Sequence, residues 1–513
     1  MGRTQRFIRG IGFGYAGQVL ATMVGLWLTP FLLLRIGKHD YGLWLVGTQL
    51  IFYVGLLDLG VVALLPRETA FATGRAGSFS DARDLPSIVG QTAKLVLWQT
   101  PFVAIAAAVV WFFLPAEWAA LQQPIAVVLA AFVLTFPLRI FSSVLQGLQD
   151  FSFLGKANIV AFTTSTAVTV SFVVAGFGLY ALALGWATLQ VVNAGANWYR
   201  LSANFPGVLP SSLPKLKREF ARLQLKQGFW ISTNQIAQVL LVGTDLLIIG
   251  KMFGPLAVVP YACTAKLISV LSNQPQLLMQ AAAPALSQMR ASESRERLSK
   301  VCIALAQAML MVSGAVVCVV LAVNQGFVAR WVGVEQFGGV TLTALILVNM
   351  LLRHLNVTAG YALFSFGYEK RLCLTALVDA TITVSAMASF VAMFGIVGAP
   401  LGSILGVSCI SLPFNLSALA KESGLTFSHL ARPLIPWFAR FAVLASATFV
   451  IARTWTPTTL PLIGLTAATV GLVYAAVMFP VALRDPLGSY IRPRLPRRGV
   501  NFLRALRAGE VAS

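Results

Sequence analysis

Charge is scarce in this chain. Only 11% of its 513 residues are Asp, Glu, Lys or Arg, with 17 acids against 38 basic side chains. Soluble domains carry about 25% charged residues, so a chain of several soluble domains is excluded. Long loops are missing too. The widest connection, around residues 200–228, is too short to fold alone. The five cysteines (Cys263, Cys302, Cys318, Cys373 and Cys409) lie in or at the ends of apolar runs with no paired spacing. That excludes zinc and disulfide signatures and leaves helix packing as their role. No metal cluster, phosphate loop, nucleotide motif or nucleophile–base pair is present in the sequence. Neither covalent chemistry nor an intrinsic ATPase is expected, and no cofactor.

What the chain has is apolar length. Hydrophobic residues make up 58% of it, and the mean hydropathy is +0.80. Apolar runs fall near 11–34, 42–65, 94–114, 124–146, 157–176, 179–199, 229–251, 258–284, 301–322, 339–362, 373–394, 397–419, 436–454 and 460–480. Each has about the 20 residues that a helix needs to cross a hydrocarbon core roughly 30 Å thick. Strands would leave amides unpaired in lipid, so all fourteen are read as helices of an all-α polytopic membrane protein. The first run follows Arg3, Arg6 and Arg9, as a signal peptide would. It is expected to be retained, because bulky Leu32, Leu33, Leu34 and Arg35 stand where cleavage needs small residues.

The net charge of +21 invites a nucleic-acid reading, which its distribution rejects. With the N-terminus in the cytoplasm, 29 of the 38 basic residues fall in cytoplasmic segments and 5 outside. That is a positive-inside signal, and it places both termini in the cytoplasm. Seven arginines from Arg484 to Arg507 would lie outside if the number of spans were odd.

The chain repeats itself weakly. Gly37, Tyr41, Gly42 and Trp44, then an apolar helix, then Leu65, Pro66 and Arg67, mirror Gly250 and Gly254, Tyr261, then Ala283, Pro284 and Leu286. A spacing near 217–220 residues divides twelve helices into two parallel sixes. The expected organisation is a first lobe at 1–200, a basic linker at 201–228 and a second lobe at 229–420. Helices 13 and 14 follow at 421–484, and a basic tail at 485–513.

Gly37, Tyr41, Gly42, Leu43 and Trp44, followed by Leu56-Leu57-Asp58-Leu59-Gly60 and Arg67, resemble the opening of Wzx-type bacterial polysaccharide flippases. These belong to the multidrug/oligosaccharidyl-lipid/polysaccharide (MOP) exporter superfamily, whose two six-helix lobes plus a final pair match the plan above. The resemblance implies movement of a polyprenyl-diphosphate-linked oligosaccharide across the inner membrane by alternating access, for surface polysaccharide or lipopolysaccharide biosynthesis. It transfers no individual residue roles beyond the first hairpin.

Ionisable residues inside spans are costly and usually face a cavity or a partner. Arg353, Lys266 and Arg139 are expected to give a cationic cavity for an anionic head group, since a guanidinium suits a diphosphate. His354 and Asn356 join them as substrate-binding candidates. Adjacent Arg353 and His354 point about 100° apart, so one is expected on the cavity and the other on a neighbouring helix. Asp58, Asp245, Asp379 and Tyr41 are gating or coupling candidates, with Asp58 expected to pair with Arg67 or cap backbone beside Gly60. Asp245 paired with Lys266 is the competing structural reading. In residues 215–226 the apolar Leu216, Phe220 and Leu223 share one face, as an interfacial helix on anionic lipid would.

Three classes compete. A lipid-linked saccharide flippase is favoured, with lipid II as the alternative substrate. A drug/cation antiporter of the same superfamily is disfavoured by the two extra helices and by the lack of Asp or Glu in 11–34. A membrane polysaccharide polymerase or ligase needs a large outer loop, yet 324–339, the longest, offers only Arg330 and Glu335 as charges. The expected partners are the lipid-linked oligosaccharide, anionic lipids and polysaccharide polymerase or assembly proteins. Coupling to Na+ or H+ stays open.

Overall fold

The computed structural model describes residues 3–76, 84–210, 212–292, 294–424 and 426–494. Among these, every regular element is helical and no strand forms. Lipid imposes that choice, because each amide must find its partner within its own segment. Of the basic tail expected at 485–513, the part beyond residue 494 lies outside the described residues. Contacts divide the chain into two compact units, Met1–Val259 and Pro260–Ser513.

The first unit holds α1 (Arg3–Gly55), α2 (Val61–Ala76), α3 (Leu85–Phe112), α4 (Ala119–Thr135) and α5 (Arg139–Gly147). It continues with α6 (Phe151–Val174), α7 (Leu179–Asn204), α8 (Arg218–Gly243) and α9 (Asp245–Phe253), and α10 (Pro255–Ser292) leaves it. The helix α8 is fastened to the start of the chain. Tyr53 and Thr244 hydroxyls meet at 2.6 Å, and Gly60 lies against the Gly228 backbone with no room for a Cβ on either. Small residues at such crossings let helices approach closely in a membrane. These contacts carry the unit boundary past the 201–228 linker, where the sequence placed it.

Two further expectations change. Helix α8 starts at Arg218 and runs unbroken into its apolar stretch, leaving Leu216 before it. Residues 215–226 therefore form no separate interfacial helix. The helix α11 (Arg295–Val332) reaches well into the expected 324–339 loop, so that connection is shorter than the sequence suggested.

The second unit continues with α12 (Val340–Ser365), α13 (Glu369–Phe394), α14 (Gly398–Gly406), α15 (Leu412–Ser423), α16 (Phe427–Ala431), α17 (Ile435–Thr454), α18 (Leu460–Ala482) and α19 (Gly488–Ile491). Gly398, Gly402 and Gly406 recur every four residues on α14, and each presses on α13 backbone or side chains. A π-helical turn, Val407–Ser411, links α14 to α15. The last long pair, α17 and α18, is anchored on α11. Trp437 is fully buried. Its Nε1–H donates to the Tyr474 hydroxyl at 3.1 Å, and that hydroxyl donates to the Met311 carbonyl at 2.9 Å.

The internal repeat is written in the backbone. Gly37 (φ 86°, ψ 163°) and Gly254 (φ 79°, ψ 171°) share one conformation, and Gly178 (φ 54°, ψ −129°) and Gly395 (φ 66°, ψ −151°) share another. Both pairs are 217 residues apart. Side chains with a Cβ rarely adopt these angles, so glycine marks equivalent turns in two halves.

By length and composition, eleven described helices suffice to cross a membrane, or twelve if the bent pair Arg218–Gly243 and Asp245–Phe253 is one span. Two of the eleven stretches, Ala16–Gly55 and Glu369–Glu422, run through the Gly37 and Gly395 turns. The fourteen spans expected from the sequence count each of those two stretches as two.

Candidate functional site

Three stripes of side chains in the first unit enclose a cavity of about 530 Å³. The first stripe is Thr135, Arg139, Ser142 and Gln146. Pro137 interrupts the helix here, and the 3-10 turn Phe136–Leu138 re-aims α5 relative to α4. Proline removes one helical donor and clashes with the preceding turn, so the break is built into the sequence. The second stripe comes from α6 through Phe151, Leu154, Gly155 and Asn158, and the third from α7 through Gln190, Asn193 and Asn197. Each stripe follows the three-to-four residue spacing of one helix face. The α6–α7 pair is held by Gly185 against Thr169 and by a 2.7 Å bond from the Ser165 hydroxyl to the Gly185 carbonyl.

Arg139 is the one sequence candidate in this cavity. Its Nη2 lies 3.5 Å from Asp58 Oδ2. Asp58, almost fully buried in the turn after α1, also accepts from the Val62 amide at 3.2 Å. The Val62 bond is the backbone cap beside Gly60 that the sequence offered as one alternative; the other, pairing with Arg67, does not form, since Arg67 lies over the Phe71 ring, 5.3 Å from its centroid. Arg67 sits on the same short helix as Asp58's neighbours and points along it, whereas α5 brings Arg139 across. The Arg139 Nη1 and the Asn197 Oδ1 are buried with no hydrogen-bond partner among the described residues.

Arg353 occupies a different setting in the second unit. Its Nη1 donates to Asp379 Oδ2 at 2.5 Å and its Nη2 to Oδ1 at 3.3 Å. The Nη2 also reaches the Ser403 carbonyl at 3.2 Å, the Ser403 hydroxyl at 3.1 Å and the Thr383 hydroxyl at 3.3 Å. Asp379 is fully buried and accepts further from Thr383 at 2.9 Å and Ser411 at 2.5 Å. The π-helical turn delivers Ser411 to this carboxylate. The sequence reading places the Arg353 guanidinium on the cavity; in the structure it pairs with Asp379 on α13 and also hydrogen-bonds to Thr383 and to Ser403 on α14. An acid one helix away, invisible as a neighbour in the linear chain, is the reason.

The remaining candidates are distributed singly. His354 is buried and its Nδ1 lies 2.7 Å from the Ser313 hydroxyl on α11, so both Arg353 and His354 face helices. Asn356 accepts from Asn415 at 2.8 Å. The Asp245 carboxylate accepts its neighbour Leu246's amide at 2.8 Å, as at a helix start. The Tyr41 hydroxyl meets Thr29 at 3.3 Å. Lys266 is half-buried on α10. Among the described residues, no group of three or more His, Cys, Asp or Glu could hold a metal.

Apart from Asn356, the sequence candidates are ionisable residues and Tyr41, and none of the cavity's carboxamides is among them. The signal was there: Gln190, Asn193 and Asn197 fall three and four residues apart within an apolar run.

Residues 88–310 match the family model described as polysaccharide biosynthesis protein, less than half of the chain but including the whole cavity. No curated protein matches in sequence. Among solved structures, the lipid II flippase MurJ in an inward closed conformation is similar at 10% identity with a TM-score of 0.62, covering 92% of this chain and 100% of that one. An inward-facing multidrug resistance MATE family transporter of the MOP superfamily follows at 14% identity and 0.60, covering 82% and 99%. A MOP superfamily transporter from Pyrococcus furiosus gives 13% and 0.52, covering 82% and 97%. The fold is that of MOP-superfamily transporters. The likeness drawn from Gly37, Tyr41, Gly42 and Trp44 thus extends over nearly the whole chain as architecture.

Proposed function

We propose that this protein moves a polyprenyl-diphosphate-linked oligosaccharide between the leaflets of a bacterial inner membrane, without covalent chemistry. One observation carries the reading: a polar, carboxamide-rich cavity inside an apolar helical unit, within the residues that match the polysaccharide biosynthesis model. Carboxamides gathered within an apolar membrane unit are costly unless they meet polar partners, which suits the cavity to a hydrophilic cargo.

The cavity's stripes come from the end of α4 and the length of α5, the first two turns of α6 and the middle of α7, on the side of the unit where the α5–α6 turn lies. In the positive-inside topology, with fourteen crossings, that side is cytoplasmic, where lipid-linked precursors are made. The two halves marked by the repeated glycine turns act as lobes that alternate access, and release follows when affinity differs between states.

Lipid II is the second reading, supported by the MurJ-like architecture. Deleting the gene and identifying the lipid-linked saccharide that accumulates in the cytoplasmic leaflet separates the two. Accumulation of no such lipid would remove both.

A further inference from the structure

The charge of the cavity is unexpected for a site that handles a diphosphate. Arg139 is its single charged lining residue, and Asp58 stands 3.5 Å away. Two cations lie close to its lining in the chain, Lys156 beside Gly155 and Arg200 three residues after Asn197. Arg200 donates to Asp150 at 2.8 Å, and Lys156 lies over the Phe13 ring, 5.0 Å from its centroid. The wall is otherwise neutral: the carboxamides of Gln146, Asn158, Gln190, Asn193 and Asn197, two hydroxyls and the apolar Phe151 and Leu154.

A diphosphate offers acceptor oxygens and negative charge, so it calls for donors and cations. A carboxamide supplies one acceptor and two donors, and a sugar hydroxyl likewise both donates and accepts. Rows of carboxamides thus match a polyhydroxylated surface and waste their acceptors on a phosphate. Asn197 makes the point. The residue is 95% buried by its 5% relative exposure, and its acceptor Oδ1 has no partner among the described residues, as is true of the donor Arg139 Nη1. A buried acceptor and a buried donor left open in one cavity call for a group that both donates and accepts, as a hydroxyl does and a diphosphate does not.

We propose that this cavity holds the uncharged saccharide portion of the lipid-linked cargo, while the diphosphate is held elsewhere. The assignment rests on the transport reading above and refines it. It makes α5, α6 and α7 the elements that choose among glycans, independently of the lipid carrier.

The test uses the full chain in lipid nanodiscs and two probes. One is undecaprenyl diphosphate without sugar; the other is undecaprenyl diphosphate bearing an N-acetylglucosamine. Asn158→Leu and Gln146→Leu alter open positions on the wall, and Gln190→Leu a deeper one. Each should weaken the sugar-bearing probe by roughly tenfold, the loss of one well-made hydrogen bond. Binding of the sugar-free probe should stay unchanged, which also reports that the variant is folded. Equal weakening of both probes would place the diphosphate here and overturn the assignment. No change with either probe for all three variants would overturn it as well. Failure of the unmodified protein to bind either lipid would instead strike the transport reading itself.

Discussion

Arg353 and Asp379 grip one another through both guanidinium terminal nitrogens and both carboxylate oxygens, at 2.5 and 3.3 Å, across α12 and α13. Ser403 on α14 and Ser411 in the turn after it add hydrogen bonds to Arg353 and to Asp379 respectively. Removing one partner leaves a buried charge alone, which costs about 3–5 kcal/mol. Arg353→Ala should therefore lower the thermal stability of the purified protein and its level in membranes. Arg353→Met combined with Asp379→Leu should recover much of both, since a matched apolar pair avoids the orphan charge. Normal stability of Arg353→Ala with transport lost would show that the guanidinium serves the cargo instead.

Asp58 acts in the opposite sense. Its carboxylate offsets Arg139 at the edge of the cavity. Asp58→Asn should unmask that cation and give the cavity an affinity for diphosphate that the native protein lacks there, read as added, salt-sensitive binding of sugar-free undecaprenyl diphosphate. Weaker binding, or a gain insensitive to salt, would contradict the pairing.

Gly406 faces the Asp379 carboxylate and the Thr383 hydroxyl so closely that a methyl group has no place. Gly406→Ala should destabilise by roughly 1–3 kcal/mol, the usual cost of overpacking. Gly464, with open space around it, serves as the control, and Gly464→Ala should be nearly silent in the same melting experiment.

Topology can be read with reporter fusions. Insertions at Glu117, Gly178 and Gln336 should report the periplasm, and those at Gln149, Gly424 and Asp485 the cytoplasm. A periplasmic signal at Asp485 would contradict an even number of crossings.

Much of the architecture was legible because a bilayer leaves little choice. Apolar length gave the helices, and Gly37 and Gly254 announced turns that the backbone angles bear out. Pairing across helices was the part that did not read through. Asp379 lies 26 positions from Arg353, and Asp58 reaches Arg139 rather than nearby Arg67. Which charges meet depends on helix rotation and crossing, which the one-dimensional pattern does not encode. The unit boundary slipped for a similar reason, since Gly60 and Gly228 bind α8 to the first unit through space. The carboxamide stripes could have been found by asking which amides share a helix face within apolar runs.

The central claim is that this chain carries a lipid-linked saccharide across a bilayer. It is tested most directly with the purified protein in sealed proteoliposomes containing undecaprenyl-diphosphate-linked saccharide. An impermeant glycosidase is added outside. In vesicles without protein, only the outer-leaflet saccharide should be cut. With the protein, the inner pool should become accessible too, and Gln190→Leu should slow this. An inner pool that stays protected for as long as the vesicles remain sealed, under an imposed Na+ or H+ gradient as well as without one, would contradict the account.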